Sequence, residues 1–474
     1  MRYAHGVHAS CRDVPIHLGV ARVVTLDSDP DRSARARGRW ACSLLAAELK
    51  DTQQGLCYAF RIACGPGFSL VCCQFMETQP NSRPRVALIG VSGYGQAHYN
   101  HLVAAAQKGS VEVLGATVIN QAQEIEKCAV LRGFGGRIYA TAEEMLADMH
   151  GRLDLCLIPT GIAWHEPMTI AALEAGANVL VEKPLTGSVA SADRMLTADH
   201  KAKGAAAVGF QDVYHPSVRR LQEMLAHGEL GRIREIRFGG AWPRGLSYYG
   251  RNNWAGKLQV DGIPVRDSPL NNAFAHLLNL SLFLAGAEPG GVAGVDHLEA
   301  DLWRANEIET FDTVALRATL VGGARLLGWL THACEETVAP VLHMEAEAGS
   351  VVWEYEGEGI TIERPGKEPL LLGTRRNPTT REAMFDQVFS WPVGEPAPCC
   401  PLSMAATHVR VIERLHAENT IHEIPSSHIL RLHQETDERR VISDFSRHLQ
   451  LAMEKKCFFS ELGHPAFARA ATMP

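Results

Sequence analysis

The chain has 474 residues, of which 46 % are hydrophobic and 21 % charged, and a formal net charge of −7. That apolar content excludes wholesale disorder, and the acidic balance argues against a general nucleic-acid binder. No apolar run reaches the roughly 18 residues a membrane span requires, and at roughly 150 residues per domain the length corresponds to about three domains.

The twelve cysteines are scattered, six of them before residue 75. None forms a CxxC pair, and no Cys/His cluster has zinc spacing, so no metal is expected. Scattered cysteines in a large chain read as reduced thiols and a cytoplasmic location. The opening MRYAHGVHASC lacks the basic head and continuous apolar stretch of a signal peptide.

Residues 1–82 differ in character from the rest. They carry nine basic against seven acidic side chains, and the remainder carries 37 against 46. Eight of the nine are Arg, four of them in RSARARGR. Apolar patches such as GFSLVCCQF occur without sustained helical or strand periodicity. This segment is expected to be an N-terminal extension, disordered or the product of an early start with Met76 as the natural one. A basic binding arm is the rival reading.

From Arg85 strands and helices alternate. RVALIG (85–90) reads as a buried parallel strand, GVSGYG (90–95) as a turn, and 96–107 as a helix. VEVLGATV (111–118) is a strand. TAEEMLAD (141–148) opens a helix with a capping-box signature. LDLCLIPT (153–160) is a strand, HEPMTIAALEAG (165–176) a helix, and NVLVEKP (178–184) a strand ended by proline. A helix over 191–204 and a strand at 206–211 complete a doubly wound parallel sheet. After Pro216, longer alternating strands such as 232–242 and 311–321 predict an open, mostly antiparallel sheet. The expected division is a Rossmann-type dinucleotide-binding domain over 83–210 and a substrate-binding and oligomerisation α/β domain over 211–474. DSPLNNAFAHLLNLSLFLAG (267–286) reads as one helix capped near Ser268, which would put Asn272, His276 and Asn279 on a shared face. DERRVISDFSRHLQLAMEKK (437–456) reads as an amphipathic helix.

A nucleotide pyrophosphate needs backbone N–H donors at a helix N-terminus with no side chain in the way. Gly90, Ser92, Gly93, Tyr94 and Gly95 sit between strand and helix as this requires, with Ser92 in place of the second glycine of GxGxxG. The ribose acid of an NAD site is absent from Val118, and no cation marks a 2′-phosphate. Asn120 is a ribose candidate, and the choice between NAD and NADP stays open.

The block 153–184 resembles the Gfo/Idh/MocA family of NAD(P)-dependent oxidoreductases. Thr160, His165, Ala172, Leu173, Ala175, Gly176, Glu182, Lys183 and Pro184 match its pattern in order, while Gly161 replaces a proline. GFQDVYHP (209–216) and ELGHPAF (461–467) extend the resemblance over about residues 83–470. The resemblance implies NAD or NADP as cofactor, with Thr160, His165, Glu182, Lys183 and Gln211 on the cofactor side. It also implies a Lys183 that contacts nicotinamide ribose and substrate, a cis bond to Pro184, and a homo-oligomer.

Lys183 ends a parallel strand, where open α/β sheets place their ligands. His276 takes the family's helix histidine, and Asn272 stands where an Asp is usual. An amide orients by hydrogen bonds but holds no proton, which makes His276 with Lys183 the expected proton handler. Asp267 is the nearest carboxylate in sequence. In WPRGLSYYGRNNWAGK (242–257), Trp242, Arg244, Tyr248, Tyr249, Arg251, Asn253 and Trp254 suit a small hydroxylated substrate, or equally a subunit interface. The expected function is hydride transfer between a nicotinamide and a sugar, polyol or related molecule. A redox-cycling lyase, hydrolase or epimerase with tightly bound NAD, and a non-catalytic nucleotide sensor, are the alternatives.

Overall fold

The computed structural model describes residues 83–286, 288, 290–355, 359–373, 379–393, 400–434 and 437–469, together with the strands of residues 10–74. Residues 1–82 form a unit separate from 83–474. In the first unit, β1 (Ser10–Ile16) pairs antiparallel with β2 (Gly19–Thr25). A three-stranded antiparallel sheet follows, in the order β3 (Ser43–Thr52), β4 (Gly55–Ala63), β5 (Phe68–Gln74). These strands lie in the segment whose sequence shows no sustained periodicity. Runs such as GVARVVT and FSLVCCQ are rich in residues that favour extended backbone. Their apolar residues do not alternate regularly with polar ones, so a search for period two passes over them.

The second unit opens with six parallel strands: β6 (Arg85–Ile89), β7 (Glu112–Thr117), β8 (Arg137–Tyr139), β9 (Leu155–Ile158), β10 (Asn178–Val181) and β11 (Ala206–Val208). Their order is β11-β10-β9-β6-β7-β8, so the chain reverses direction between β6 and β9. Ligands of open α/β sheets bind at that switch point, outside the carboxyl ends of the strands. The crossovers are α1 (Gly95–Gln107), α2 (Ile125–Gly133), α3 (Ala142–Met149), α4 (Ile162–Glu174) and α5 (Val189–Lys201). Helix α3 is capped where the sequence places it, with the Thr141 hydroxyl accepting from Glu144 N at 3.2 Å. Helix α4 begins at Ile162, three residues ahead of the expected start. At the opposite end of the sheet Arg85 clamps β6 to the start of β9 through two bonds to the Asp154 carboxylate, at 2.8 and 2.9 Å.

Helix α6 (Pro216–Ala226) leads into β12 (Ile233–Ala241) of a nine-stranded sheet. After α7 (Leu246–Gly250) and a small hairpin, β13 (Gln259–Val260) with β14 (Ile263–Pro264), come α8 (Ala275–Leu284) and β15 (Val295–Arg304). The sheet continues with β16 (Thr313–Leu320), β17 (Arg325–Thr331), β18 (Val338–Ala346), β19 (Gly349–Glu354), β20 (Ile360–Glu363) and β21 (Leu370–Leu372). Helices α9 (Thr380–Ser390) and α10 (Leu402–Glu418) precede the edge strand β22 (Ile421–Glu423). All neighbours pair antiparallel except β12 with β17 and β15 with β22. The fold class is therefore α/β, a Rossmann-type parallel sheet followed by a mixed, mostly antiparallel one.

Alternation along β17 sends Leu326 and Leu330 to one face and Leu327 and Trp329 to the other. The first pair joins the core shared with the parallel sheet, where α8 and α10 pack. The second joins a separate cluster with Phe445, Leu449, Phe459 and Phe467.

Two predicted helices are shorter than the sequence suggests. Residues 437–456 divide into β24 (Asp437–Ile442), paired with β23 (Ile429–Gln434), and α11 (Phe445–Lys455). Asp444, at φ +56°, breaks the run between them. Helix α8 starts at Ala275 rather than near Ser268. Residues 268–274 instead wind through turns of mixed pitch, with Asn272 N bonded to Ser268 O at 2.9 Å and Phe274 N to Pro269 O at 2.8 Å. Among the described residues no helix is long and apolar enough to cross a membrane, and no group of three or more His, Cys, Asp or Glu could hold a metal.

Candidate active site

The carboxyl ends of β6, β9 and β10 border a cavity of about 1000 Å³. Its floor at β6 is the glycine loop. Gly90 adopts φ +96° and Gly93 φ +56°, the left-handed region that favours glycine. A Cβ on Gly95 would lie 2.6 Å from Gly90 O, so only glycine lets α1 start this close to the strand. Ser92 does not simply replace a glycine. Its hydroxyl donates to Glu124 Oε1 at 2.7 Å and lies 3.1 Å from Asn120 Nδ2. Lys127 pairs with Glu124 at 2.7 Å and donates to Val91 O at 2.9 Å. Hydrogen bonds from Lys127 and Ser92 hold the Glu124 carboxyl below its ordinary pKa. Glu124 and Lys127 were missed in the sequence because the ribose position was sought only at the strand end. Val118, at that place, is core at 1 % exposure; Ile119, at 89 %, and Asn120 face the cavity instead.

On the β9 side Thr160 lines the cavity, and its hydroxyl is buried without a partner among the described residues. His165 does not line it. Its ring bridges Pro184 O at 2.8 Å and Thr160 O at 3.0 Å, tying the ends of β9 and β10 together, and burial lowers its pKa. Glu182 reaches the cavity wall with Oε1 2.9 Å from His98 Nε2 and Oε2 accepting from Lys183 N at 3.0 Å. Burial pushes its pKa up, but the bond and charge of His98, with Lys183, outweigh this and leave it below the ordinary value. Gln211 is also off the cavity; its Oε1 accepts from Arg381 Nε at 3.4 Å, and Arg381 Nη2 is 3.3 Å from the hydroxyl of Tyr94, which does line it.

The Lys183–Pro184 bond is cis. Lys183 Nζ donates to Asn272 O at 3.0 Å and to Asn272 Oδ1 at 3.2 Å. Asn272 Nδ2 donates to Asp267 Oδ1 at 2.8 Å and approaches the Tyr248 hydroxyl at 3.4 Å. Asp267 is buried, and Oδ2 accepts from Gly256 N at 2.7 Å. Burial raises its pKa against those bonds and against the charges of Arg251 and Lys183. Burial lowers that of Lys183, opposed by the carboxylates of Glu182 and Asp267.

Asn272 lies ahead of the helix that carries His276. The helix starts too late for the i, i+4 relation to apply, and His276 is not among the described residues lining the cavity. It is 7 % exposed, with Nδ1 3.9 Å from Asp212 Oδ2 and its ring edge-on to Phe210. Asn279, deeper still, has both side-chain polar atoms buried without a partner among the described residues.

From the second domain Trp242, Arg244, Tyr248, Arg251 and Trp254 line the cavity, as the sequence suggests. Tyr249 and Asn253 do not; Asn252 takes the place of Asn253. A Cβ on Gly161 would lie 3.2 Å from Trp254 Nε1, so the family proline at 161 would crowd the indole that stands there.

The loop glycines, the α1 N-terminus and the unpartnered Thr160 hydroxyl fit a bound dinucleotide. Fold and site together define a dinucleotide-binding α/β protein with a ligand cleft between two sheets. Residues 84–210 match the model of the oxidoreductase family with an NAD-binding Rossmann fold. The match is in line with the resemblance to the Gfo/Idh/MocA family that the ordered motifs of this segment carry. The inositol 2-dehydrogenase of Leifsonia xyli subsp. xyli is 30 % identical over 165 residues, 34 % of this chain and 45 % of that protein. That of Corynebacterium glutamicum (strain R) is 28 % identical over 150 residues, 31 % and 44 % of the two chains. The chain thus spans less than half the length of these curated relatives. An inositol dehydrogenase homolog from Azotobacter vinelandii, solved with NAD+, has the same fold at TM-score 0.60 and 19 % identity, over 72 % of this chain and 96 % of its own. The WlbA dehydrogenase from Bordetella pertussis, solved with NADH and UDP-GlcNAcA, matches at 0.57 and 20 % identity, over 71 % and 98 %.

Proposed function

We propose that this protein is an NAD-dependent oxidoreductase acting on a CH–OH group of a sugar, polyol or related small molecule. The observation that carries this reading is that one cavity joins the glycine loop to the Lys183–Asn272 pair. NAD, when bound, supplies the hydride acceptor. Gly90, Ser92, Gly93 and Gly95 would hold its pyrophosphate, and Asn120, Thr160 and Glu182 its riboses. Lys183 takes the hydroxyl proton, because its lowered pKa raises the neutral share of the amine available as a base. Asn272 holds Nζ in place through two acceptors, and Asp267 keeps the amide turned that way. His276 supports the cleft from behind and does not meet the substrate.

NAD is favoured over NADP. At the β7 end of the cavity Ile119, Asn120, Thr141 and Glu143 supply no cation for a 2′-phosphate, and Glu124 lies one hydrogen bond behind Ser92. A cytoplasmic location and a homo-oligomeric state belong to the same reading, resting on the scattered cysteines and the family resemblance. No specific feature favours a closed redox cycle or a sensor. The test is titration of the purified chain with NADH and NADPH, read by nicotinamide fluorescence. Saturable binding, about tenfold or more tighter for NADH, is expected; binding of neither overturns the reading.

A further inference from the structure

The chain is acidic overall, yet the substrate end of its cleft is cationic. Lys183, Arg244 and Arg251 line it, and among the described residues no Asp or Glu of the second domain does. Several other arginines of this protein do have carboxylate partners: Arg85 with Asp154, Arg194 with Glu166, Arg237 with Glu345, Arg317 with Glu461. Among the described residues neither Arg244 nor Arg251 has a carboxylate within ion-pair distance.

Both guanidiniums are instead gathered on one aromatic ring. Arg251 Cζ lies 3.6 Å from the Tyr248 ring centre and Arg244 Cζ 4.9 Å from it. Arg251 also stands 5.0 Å from the ring of Trp254, and Arg244 5.8 Å from that of Trp242. Stacking fixes a guanidinium while leaving its in-plane N–H fork free for a planar or tetrahedral oxyanion. The bonds they do make leave donors over. Arg251 Nη1 donates to Tyr248 O. Arg244 Nη1 has a long contact of 3.4 Å to Pro243 O, and its Nε is buried without a partner. Asp267, the carboxylate nearest in the network, already accepts from Gly256 N and Asn272 Nδ2. Two like charges on one ring, beside a lysine and with neither guanidinium ion-paired, are costly unless an anion completes the site.

We propose that the substrate of this cleft carries an acid group, carboxylate or phosphate, seated between Arg244 and Arg251, with the reacting hydroxyl turned to Lys183. This inference rests on the oxidoreductase reading and narrows its substrate class to acidic hydroxylated molecules, such as sugar acids or sugar phosphates. Neutral polyols would leave both guanidiniums unpaired and bind more weakly.

The test uses the full chain, with D-glucose, D-glucuronate and D-glucose 6-phosphate as probes. Binding is followed by thermal shift without nucleotide, and by the change in bound NADH fluorescence with it. At least one acid is expected to bind about tenfold tighter than glucose, with the preference shrinking as salt rises. Whichever acid wins identifies the group as carboxylate or phosphate. Arg244→Gln and Arg251→Gln should each bring the acid towards the affinity of glucose, while Arg251→Lys keeps part of the preference. Thermal melting of each variant checks that it folds. Equal or tighter binding of glucose, binding of neither acid, or a preference that survives in the double Gln variant overturns the proposal. Failure to bind NADH would instead overturn the oxidoreductase reading, and the thermal-shift arm reports acid binding independently of it.

Discussion

The Asp267 carboxylate accepts from the Asn272 amide nitrogen at 2.8 Å, and so decides which end of that amide faces Lys183. With Nδ2 committed to Asp267, Oδ1 is left as the acceptor for Nζ at 3.2 Å. An Asn where the family carries an Asp thus keeps an oxygen towards the lysine, while the negative charge sits one residue further back.

Replacing Asp267 by Asn removes that constraint and that charge. The carboxylate raises the pKa of Lys183, so its loss should lower that pKa further. If neutral Lys183 is the base, the rise of kcat/KM with pH then moves to lower pH in Asp267→Asn. A fall in kcat on the order of tenfold should accompany it. Steady-state pH profiles of both proteins check this; a lowered plateau with an unmoved limb would leave Asp267 a purely structural role.

Lys183→Met should cost kcat about 100- to 10,000-fold, the range of a lost general base. His276→Gln should cost less than about tenfold, because the ring lies outside the cavity. Initial rates on one turned-over substrate compare the two. The reverse ranking would return the proton-handling role to His276.

Gly95→Ala places a methyl group 2.6 Å from Gly90 O, a backbone atom that cannot swing aside. The strand–helix junction must open, with an expected loss of about 1–3 kcal/mol in stability. NADH binding should weaken in parallel. Chemical denaturation and nucleotide titration measure the two effects.

Arg85 holds the Asp154 carboxyl below its ordinary pKa, although burial alone would raise it. A depressed pKa contributes stability above the unfolded value that is lost as pH falls through the folded one. Asp154→Asn should therefore be less stable than the parent near neutral pH, by on the order of 1 kcal/mol for so exposed a pair. The gap should close below about pH 4. Melting temperatures across pH 3–7 test the convergence.

Much of the parallel sheet was legible because its signals are local. Buried strands such as LCLI, the Thr141 cap and the glycine turn each lie within a few residues, and each was recovered. The same local reasoning misplaced α8, since Pro269 and Ser268 resemble a helix start while the chain there follows turns of mixed pitch. With that later start the i, i+4 relation between Asn272 and His276 does not apply, and His276 is buried off the cavity lining. Glu124, Lys127 and Arg381 carry no motif; they matter only because folding brings them to Ser92, Val91 and Tyr94.

The sequence by itself determined the alternation of elements, the place of the phosphate loop and the strand end that carries Lys183. Those follow from side-chain periodicity and backbone preferences, which act over a few residues. Only the tertiary structure decided that Asp267 stands behind Asn272, that Trp254 stands against Gly161, and that Arg244 and Arg251 share the ring of Tyr248. Hydrogen bonds, stacking and charge pairing depend on distances between groups far apart in the chain, and those distances exist only once the two sheets have packed.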